Sequence, residues 1–454
     1  MKRFTDISEE ERIVIQNGIF ADMEQANRDP WHPGWHFTPP SHFMLDVWGA
    51  IKHDGVYHIF YGVCRESGGM AQDTVFGHAV SRDLVKFRHM PLPICPAREE
   101  LRMNDGCVCI DKDGIPVMLY TSVPKDENTP RSHVAAIGDR KLVSFKRSPV
   151  PFMTLDNHGG PEFEWGWSDP FVFSAFGRTF MVMSKCVDKD GRNRMPIYES
   201  LDGSYTRWEY RGIMIEDNGE VVNFFPLGDK WVLIFCPYST IKYFVGTFDE
   251  ETLTFTPEKE GILCYGYVKQ ETDRGFYATC IYPEADRTVI CGWISGFDRQ
   301  MWDGCMGTPR TVGINNDLCL VTMPINEILG LRREHTSFVG TKGEMFVSSQ
   351  ADIEIEFCGD IKLEFEDSVT VAVRNNGFSV DCLDYPDTLC EVSTHKLRIL
   401  LDNSFIELYF DDGSTTAVRP VKYLSDKLRL KIEGDVRIDA WRMDSVETES
   451  EIFL

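Results

Sequence analysis

The hydrophobic pattern of the chain changes character twice. Residues 8–28 are the strongest helical candidate: Ser8 stands where a cap belongs, Glu9 to Glu11 suit the positive end of a helix dipole, and Asp29-Pro30 ends the run. From there the pattern turns to strands. The runs VYHIFYGV, PVMLYTSV, TFMVMSKC, KWVLIFCP and RTVICGWI are apolar, rich in β-branched and aromatic residues, and each follows a turn signal. The turns are Asp54-Gly55, Asp113-Gly114, Phe176-Gly177, Gly228-Asp229 and Ala285-Asp286. After Leu331-Arg332-Arg333-Glu334 the runs become short and alternating: DIEIEF, IKLEFE, VTVAVR, KLRILL, FIELYF, LRLKIE and VRIDAW. The expected fold is all-β: a five-bladed propeller built from five similar β units, followed by an antiparallel β-sandwich. The expected divisions are an N-terminal helical segment over 1–30, a propeller over 31–334 and a sandwich over 335–454.

The repeat also orders the acids. Asp46, Asp105, Asp169 and Glu220 each stand about eight residues before their turn, and Tyr277 occupies the matching place in the last unit. Acids near the start of each blade's innermost strand would face one end of a common channel. Two carboxyl groups across one bond are what glycoside hydrolysis requires, one to attack or activate water and one to protonate the leaving oxygen.

Composition narrows the ligand. The 454 residues carry a formal charge of −24, with no excess of Lys or Arg to neutralise phosphate. Nucleic acid and anionic membranes are therefore not expected partners, and a small neutral carbohydrate fits more easily. No apolar run is long enough to span a bilayer and the start shows no secretory pattern, so a cytoplasmic location is expected. The 14 cysteines then read as reduced thiols, mostly in strand-like runs. No Cys-x-x-Cys pair or Cys/His array appears, so neither metal nor cofactor is expected. The sequence carries no signal of oligomeric state.

Several motifs, in order over about residues 29–410, resemble glycoside hydrolase family 32, the invertase and fructan hydrolase family. His36-Phe37-Thr38-Pro39-Pro40 with Phe43-Met44-Leu45-Asp46 and Gly49 resembles the family's opening, usually HFTPP…WMNDPNG. Phe76 to Leu84 resembles its WGHAVSKDL stretch, Trp167-Ser168-Asp169-Pro170 its RDP motif, and Glu220-Val221-Val222-Asn223 its ECPD-type motif. Leu397 to Asp402 with Ile406-Glu407 is similar to its sandwich signature. The resemblance implies a propeller joined to a sandwich and a retaining double displacement on a β-fructofuranoside. It implies Asp46 as nucleophile, Glu220 as general acid/base, and Asp169 as the group that holds sugar hydroxyls and stabilises the transition state.

The departures point to specificity. Leu45 replaces the Asn before the nucleophile, Val47 and Trp48 replace the Pro and Asn after it, and Ser168 replaces the Arg of RDP. Val221 and Asn223 replace the Cys and Asp of the ECPD motif, and Asp105 stands where the family has a Ser-Gly-Ser segment. Each lost hydroxyl partner changes binding by about 1–3 kcal/mol. The expectation is an altered sugar or linkage preference, with Leu45, Trp48, Asp105, Ser168, Tyr277 and Trp293 as the substrate-binding set. Transfer to a sugar acceptor through the same intermediate, a phosphorylated substrate, and a non-catalytic carbohydrate-binding propeller stay open as alternatives. His36 and His78 read as structural, hydrogen-bonded histidines.

Overall fold

The computed structural model describes residues 3–65, 74–268, 275–366, 368–422 and 425–450, with Trp165 described by its backbone alone. It is nearly all-β. The helical start is shorter than its pattern suggests: α1 (Glu9–Ala21) ends at Asp22, and a further turn spans Met23–Asn27. Ser8 and Glu11 close a reciprocal capping box, with Glu11 N donating to Ser8 Oγ at 3.2 Å and Ser8 N to Glu11 Oε2 at 2.7 Å.

The strands that follow form a propeller-like arrangement of mainly antiparallel sheets of four to six strands. The opening strands are β1 (His42–His53), β2 (Glu100–Ile110), β3 (Ser168–Ala175), β4 (Glu220–Leu227) and β5 (Gly275–Pro283). Each pairs with the next strand in sequence through the turns named above. The opening strands pack in a closed cycle, β1 on β2, β2 on β3, β3 on β4, β4 on β5 and β5 on β1. A parallel pairing of His42 with Trp302 and of Phe43 with Asp303 ties the first unit to the last. Second strands are covered on both faces by neighbouring sheets, which is why Val56–Cys64 reads as a continuous apolar run and is buried along almost its whole length.

The remaining chain forms a sandwich-like sheet. The sequence suggests short strands here, but DIEIEF and IKLEFE belong to one strand, β6 (Gln350–Phe365), and LRLKIE and VRIDAW to another, β7 (Lys427–Met443). Strand β6 pairs with His395–Asp402 along its first half and with Val369–Arg374 along its second. A register shift between Cys358 and Lys362 separates the halves. Gly359 (φ 67°) and Gly434 (φ 111°) allow the bend without ending either strand. A Cβ on Gly434 would lie 2.5 Å from the Asp360 carbonyl, so the glycine is needed for close approach as well as for φ. A buried apolar cluster including Ile353, Ile355, Leu363, Leu397, Leu430 and Ile438 fills this part.

Candidate active site

Every opening strand carries an irregularity at its candidate residue. Register shifts fall between Met44 and Gly49 in β1, Asn104 and Gly106 in β2, Ser168 and Phe171 in β3, Glu220 and Asn223 in β4, and Tyr277 and Thr279 in β5. A bulge adds one residue to one strand and re-aims the side chain beside it. Asp169 (φ 51°), Val221 (φ 51°) and Ala278 (φ 44°) are left-handed at these points, an uncommon conformation that needs tertiary support. The bulges turn Asp46, Asp105, Asp169 and Glu220 toward one another at one end of the channel.

The acids form a single electrostatic cluster. Asp46 is 8% exposed and accepts a hydrogen bond from Trp48 Nε1 at 3.0 Å. Burial pushes its carboxyl up to about 6, with Glu220 and Asp169 adding to the rise and hydrogen bonds from Asp105 and Trp48 opposing it. Asp105 is raised well above the carboxylate range by burial and then by Asp46 and Asp169. Asp169 behaves differently. Burial acts upward on it too, but the Lys185 ammonium and the Ser184 hydroxyl hold it below its usual range. Its Oδ2 accepts from Ser184 Oγ at 2.9 Å and Val221 N at 3.4 Å, and lies 3.2 Å from Lys185 Nζ. Its Oδ1 is buried without a partner, as is Asp105 Oδ1.

Lys185 is a member of the site that the sequence motifs do not mark. Its ammonium lies 2.9 Å from Glu220 Oε2 and 3.2 Å from Asp169 Oδ2, joining the two acids. It sits just past the second strand of the third unit with φ 60°, and its backbone N–H donates to Gly219 O at 2.9 Å. Burial works against its charge, yet Asp169 and Glu220 raise it well above the ordinary lysine value. A signal exists in TFMVMSKC: a lysine closing a buried apolar run is rarely buried unless paired. Tyr238 is unmarked as well. Its hydroxyl bonds Glu220, and its backbone N–H donates to Tyr277 Oη at 2.8 Å.

The other sequence candidates take distinct places. Trp48 is 2% exposed, edge-on to Phe76 and packed over Gly62, with half-buried Leu45 on the same glycine. Ser168 is wholly buried beside Asp169, its Oγ without a partner. Tyr277 stacks on Tyr267 at 4.5 Å, accepts from Tyr238 N, and lies in the field of Glu220. Trp293 is 5% exposed, edge-on to Phe43, with a buried Nε1 that has no partner. Both tryptophans are walls packed into the fold rather than open platforms. Away from the cluster, His36 bonds Asp402 and Thr308, and His78 faces His58 at 3.1 Å. Among the described residues no group of three or more His, Cys, Asp or Glu side chains is placed to hold a metal ion. A channel cavity of about 540 Å³ is lined by Asp105, Asp169, Asn223 and Thr279 and runs along the opening strands to Lys52 and Glu284.

Comparison with known proteins bears on the family and the fold. The family model described as "Glycosyl hydrolases family 32 N-terminal domain" matches residues 36–324. A sucrose-6-phosphate hydrolase of Zymomonas mobilis is 26% identical, covering 91% of this chain and 91% of its own length. Among solved structures, a sucrose-6-phosphate hydrolase from Lactobacillus gasseri superposes with a TM-score of 0.82 at 19% identity, over 98% of both chains. A GH32 beta-fructofuranosidase from Bombyx mori gives 0.81 at 19% identity, over 97% of this chain and 99% of its own.

Proposed function

The chain belongs to glycosyl hydrolase family 32 and is a glycosidase, and on that premise we propose that it hydrolyses a β-fructofuranoside or related furanoside with retention. Asp46 attacks the anomeric carbon while Glu220 gives its proton to the leaving oxygen. The C–O bond to the aglycone breaks and a furanosyl ester forms on Asp46. Water then attacks, Glu220 takes its proton, and the ester opens to return Asp46 as a carboxylate. Asp169, kept anionic by Lys185, holds sugar hydroxyls through its free oxygen and stabilises the developing positive charge.

The observation that carries the reading is the convergence of Asp46, Asp169 and Glu220 from the bulges of three strands, with Lys185 bridging two of them. The cyclic packing of β1 to β5 supports five blades, and the change to sandwich pairing after Leu331 supports a division near 334. Leu45, Trp48, Asp105, Ser168, Tyr277 and Trp293 shape the sugar pocket. Asp105 Oδ1, Ser168 Oγ and Trp293 Nε1 are polar atoms a substrate hydroxyl would satisfy. Replacement of the family's Asn and Arg by Leu45 and Ser168 favours a substrate other than plain sucrose. The names of relatives bring sucrose 6-phosphate into consideration.

The test is a screen of furanosides, phosphorylated and not, with wild type, Asp46→Asn and Glu220→Ala, the product anomer read by NMR. Retained configuration, lost in both variants, is the expected result. Turnover unaffected by Asp46→Asn would sink the assignment. So would an inverted product.

A further inference from the structure

Asp105 is placed to act on Asp46 rather than on substrate alone. It stands at the bulge of β2, which packs between β1 and β3. Its carboxyl faces that of Asp46 and interacts with it, its Oδ1 is buried without a partner, and the residue lines the channel. Two buried carboxyl groups that face each other repel when both are ionised, and one shared proton relieves that repulsion.

The surrounding charges favour the same solution. Asp46 faces Glu220 from β4, Asp169 from β3 and the Trp48 indole, and Cys236 lies in its field. Asp105 faces Asp169 and Lys185, and Arg102 on its own strand adds a longer-range positive field. The Lys185 ammonium is already engaged by Asp169 and Glu220 at 3.2 and 2.9 Å.

We propose that Asp105 is a positioning residue: a neutral carboxylic acid that donates a hydrogen bond to the carboxylate of Asp46 and so governs how readily that carboxylate departs from the sugar. The inference rests on the reading of Asp46 as nucleophile. In the first step Asp46 becomes an ester and loses most of its strength as an acceptor, so the bond from Asp105 weakens. In the second step water attacks, the ester C–O bond breaks with its electron pair going to Asp46, and the proton of water goes to Glu220. The Asp105 hydroxyl then stabilises the departing carboxylate and keeps its own proton.

The experiment compares Asp105→Ala with Asp105→Asn, which retains a donor. Asp105→Ala should lower kcat and KM together by roughly 10- to 100-fold, as loss of a hydrogen bond to a charged group implies. It should also trap furanosyl-enzyme, seen as added sugar mass on the peptide carrying Asp46. The acid limb of kcat/KM should move to higher pH, because a bond that eases ionisation of Asp46 has gone. Asp105→Asn should restore all three. Loss of kcat/KM with no trapped ester and an unmoved limb would reduce Asp105 to a sugar contact and overturn the proposal. An infrared difference spectrum of wild type against Asp105→Asn at neutral pH tests the pair without turnover. A protonated carboxyl band supports it, and carboxylate bands alone refute it. Should no furanoside be turned over, the activity reading fails while the spectrum still decides the proton.

Discussion

Two regions of this protein bury several carboxylates in apolar surroundings, and they treat them in opposite ways. At the junction of the two parts, Asp402 accepts from the backbone N–H groups of Gly34, Trp35 and His36 at 2.6, 3.0 and 3.1 Å, and from His36 Nδ1 at 2.8 Å. Glu407 accepts from Thr308 N at 3.0 Å and from the Tyr409 hydroxyl, with Arg310 at 3.7 Å. Every oxygen of these two carboxylates has a donor. At the channel end, Asp105 Oδ1 and Asp169 Oδ1 have none, and four acids share one lysine between two of them. Satisfied burial fixes the sandwich to the propeller-like part. Unsatisfied burial leaves the proposed active site with polar atoms that substrate hydroxyls would satisfy.

The strongest way to break this comparison is to neutralise one carboxylate in each region. Asp46→Asn should abolish turnover, by roughly 10⁴-fold or more, if Asp46 is the proposed nucleophile, whose loss is not compensated elsewhere. Its melting temperature should hold or rise, because a strained charge has been removed. Asp402→Ala should do the reverse. It leaves four donors facing a void and His36 without its partner, for a loss of about 3–5 kcal/mol by the reasoning for broken buried pairs. Thermal melts and kcat/KM on the same two proteins decide this. A destabilised Asp46→Asn with a stable Asp402→Ala would invert the division.

Lys185 tests the border between the regions, since it forms ion pairs inside the proposed catalytic cluster. Lys185→Met should lower kcat/KM by roughly 100-fold, the scale of misplacing a reacting group by about an ångström. Lys185→Arg should recover part of it. A fall in melting temperature with full activity would place Lys185 with the junction residues.

The spacing of acids before turns is legible in the sequence because each lies on an opening strand whose partner is a conspicuous apolar run. What turns them inward is not. A bulge inserts one residue, and in β1, β4 and β5 that insertion sits among mostly buried residues, where no alternation exists to be broken. Lys185 is hidden by the same continuity. Farther on, Gly359-Asp360 and Gly434-Asp435 carry the composition of turns, yet each is a bend within one long strand. Glu407 stands in the sandwich signature as one polar residue among apolar ones. Only the fold shows that it points at Thr308 and Arg310.

The smallest expected effect is also the most discriminating, because it has opposite signs in the two regions. Asp46 is raised from its ordinary 3.8 to about 6, with burial the chief cause. Between those values the folded protein binds more protons than the unfolded chain, so this group's contribution to stability falls as pH rises through the window. Glu407 is lowered from 4.5 to about 2. Burial opposes that change, but the His36 bond and the Arg310 charge outweigh it. Here the unfolded chain binds more protons, so the contribution is present above about 4.5 and lost as pH falls toward 2. Each effect is on the order of 2–3 kcal/mol at full extent, since a tenfold change in proton affinity corresponds to about 1.4 kcal/mol. The stability of Asp46→Asn relative to wild type should therefore climb between pH 4 and 6. That of Glu407→Gln should drop between pH 2 and 4.5 and stay low above it. Melting curves of the three proteins across this range measure both slopes. Parallel curves would mean that the channel acids are as well satisfied as those at the junction, and the contrast between the two regions would fail.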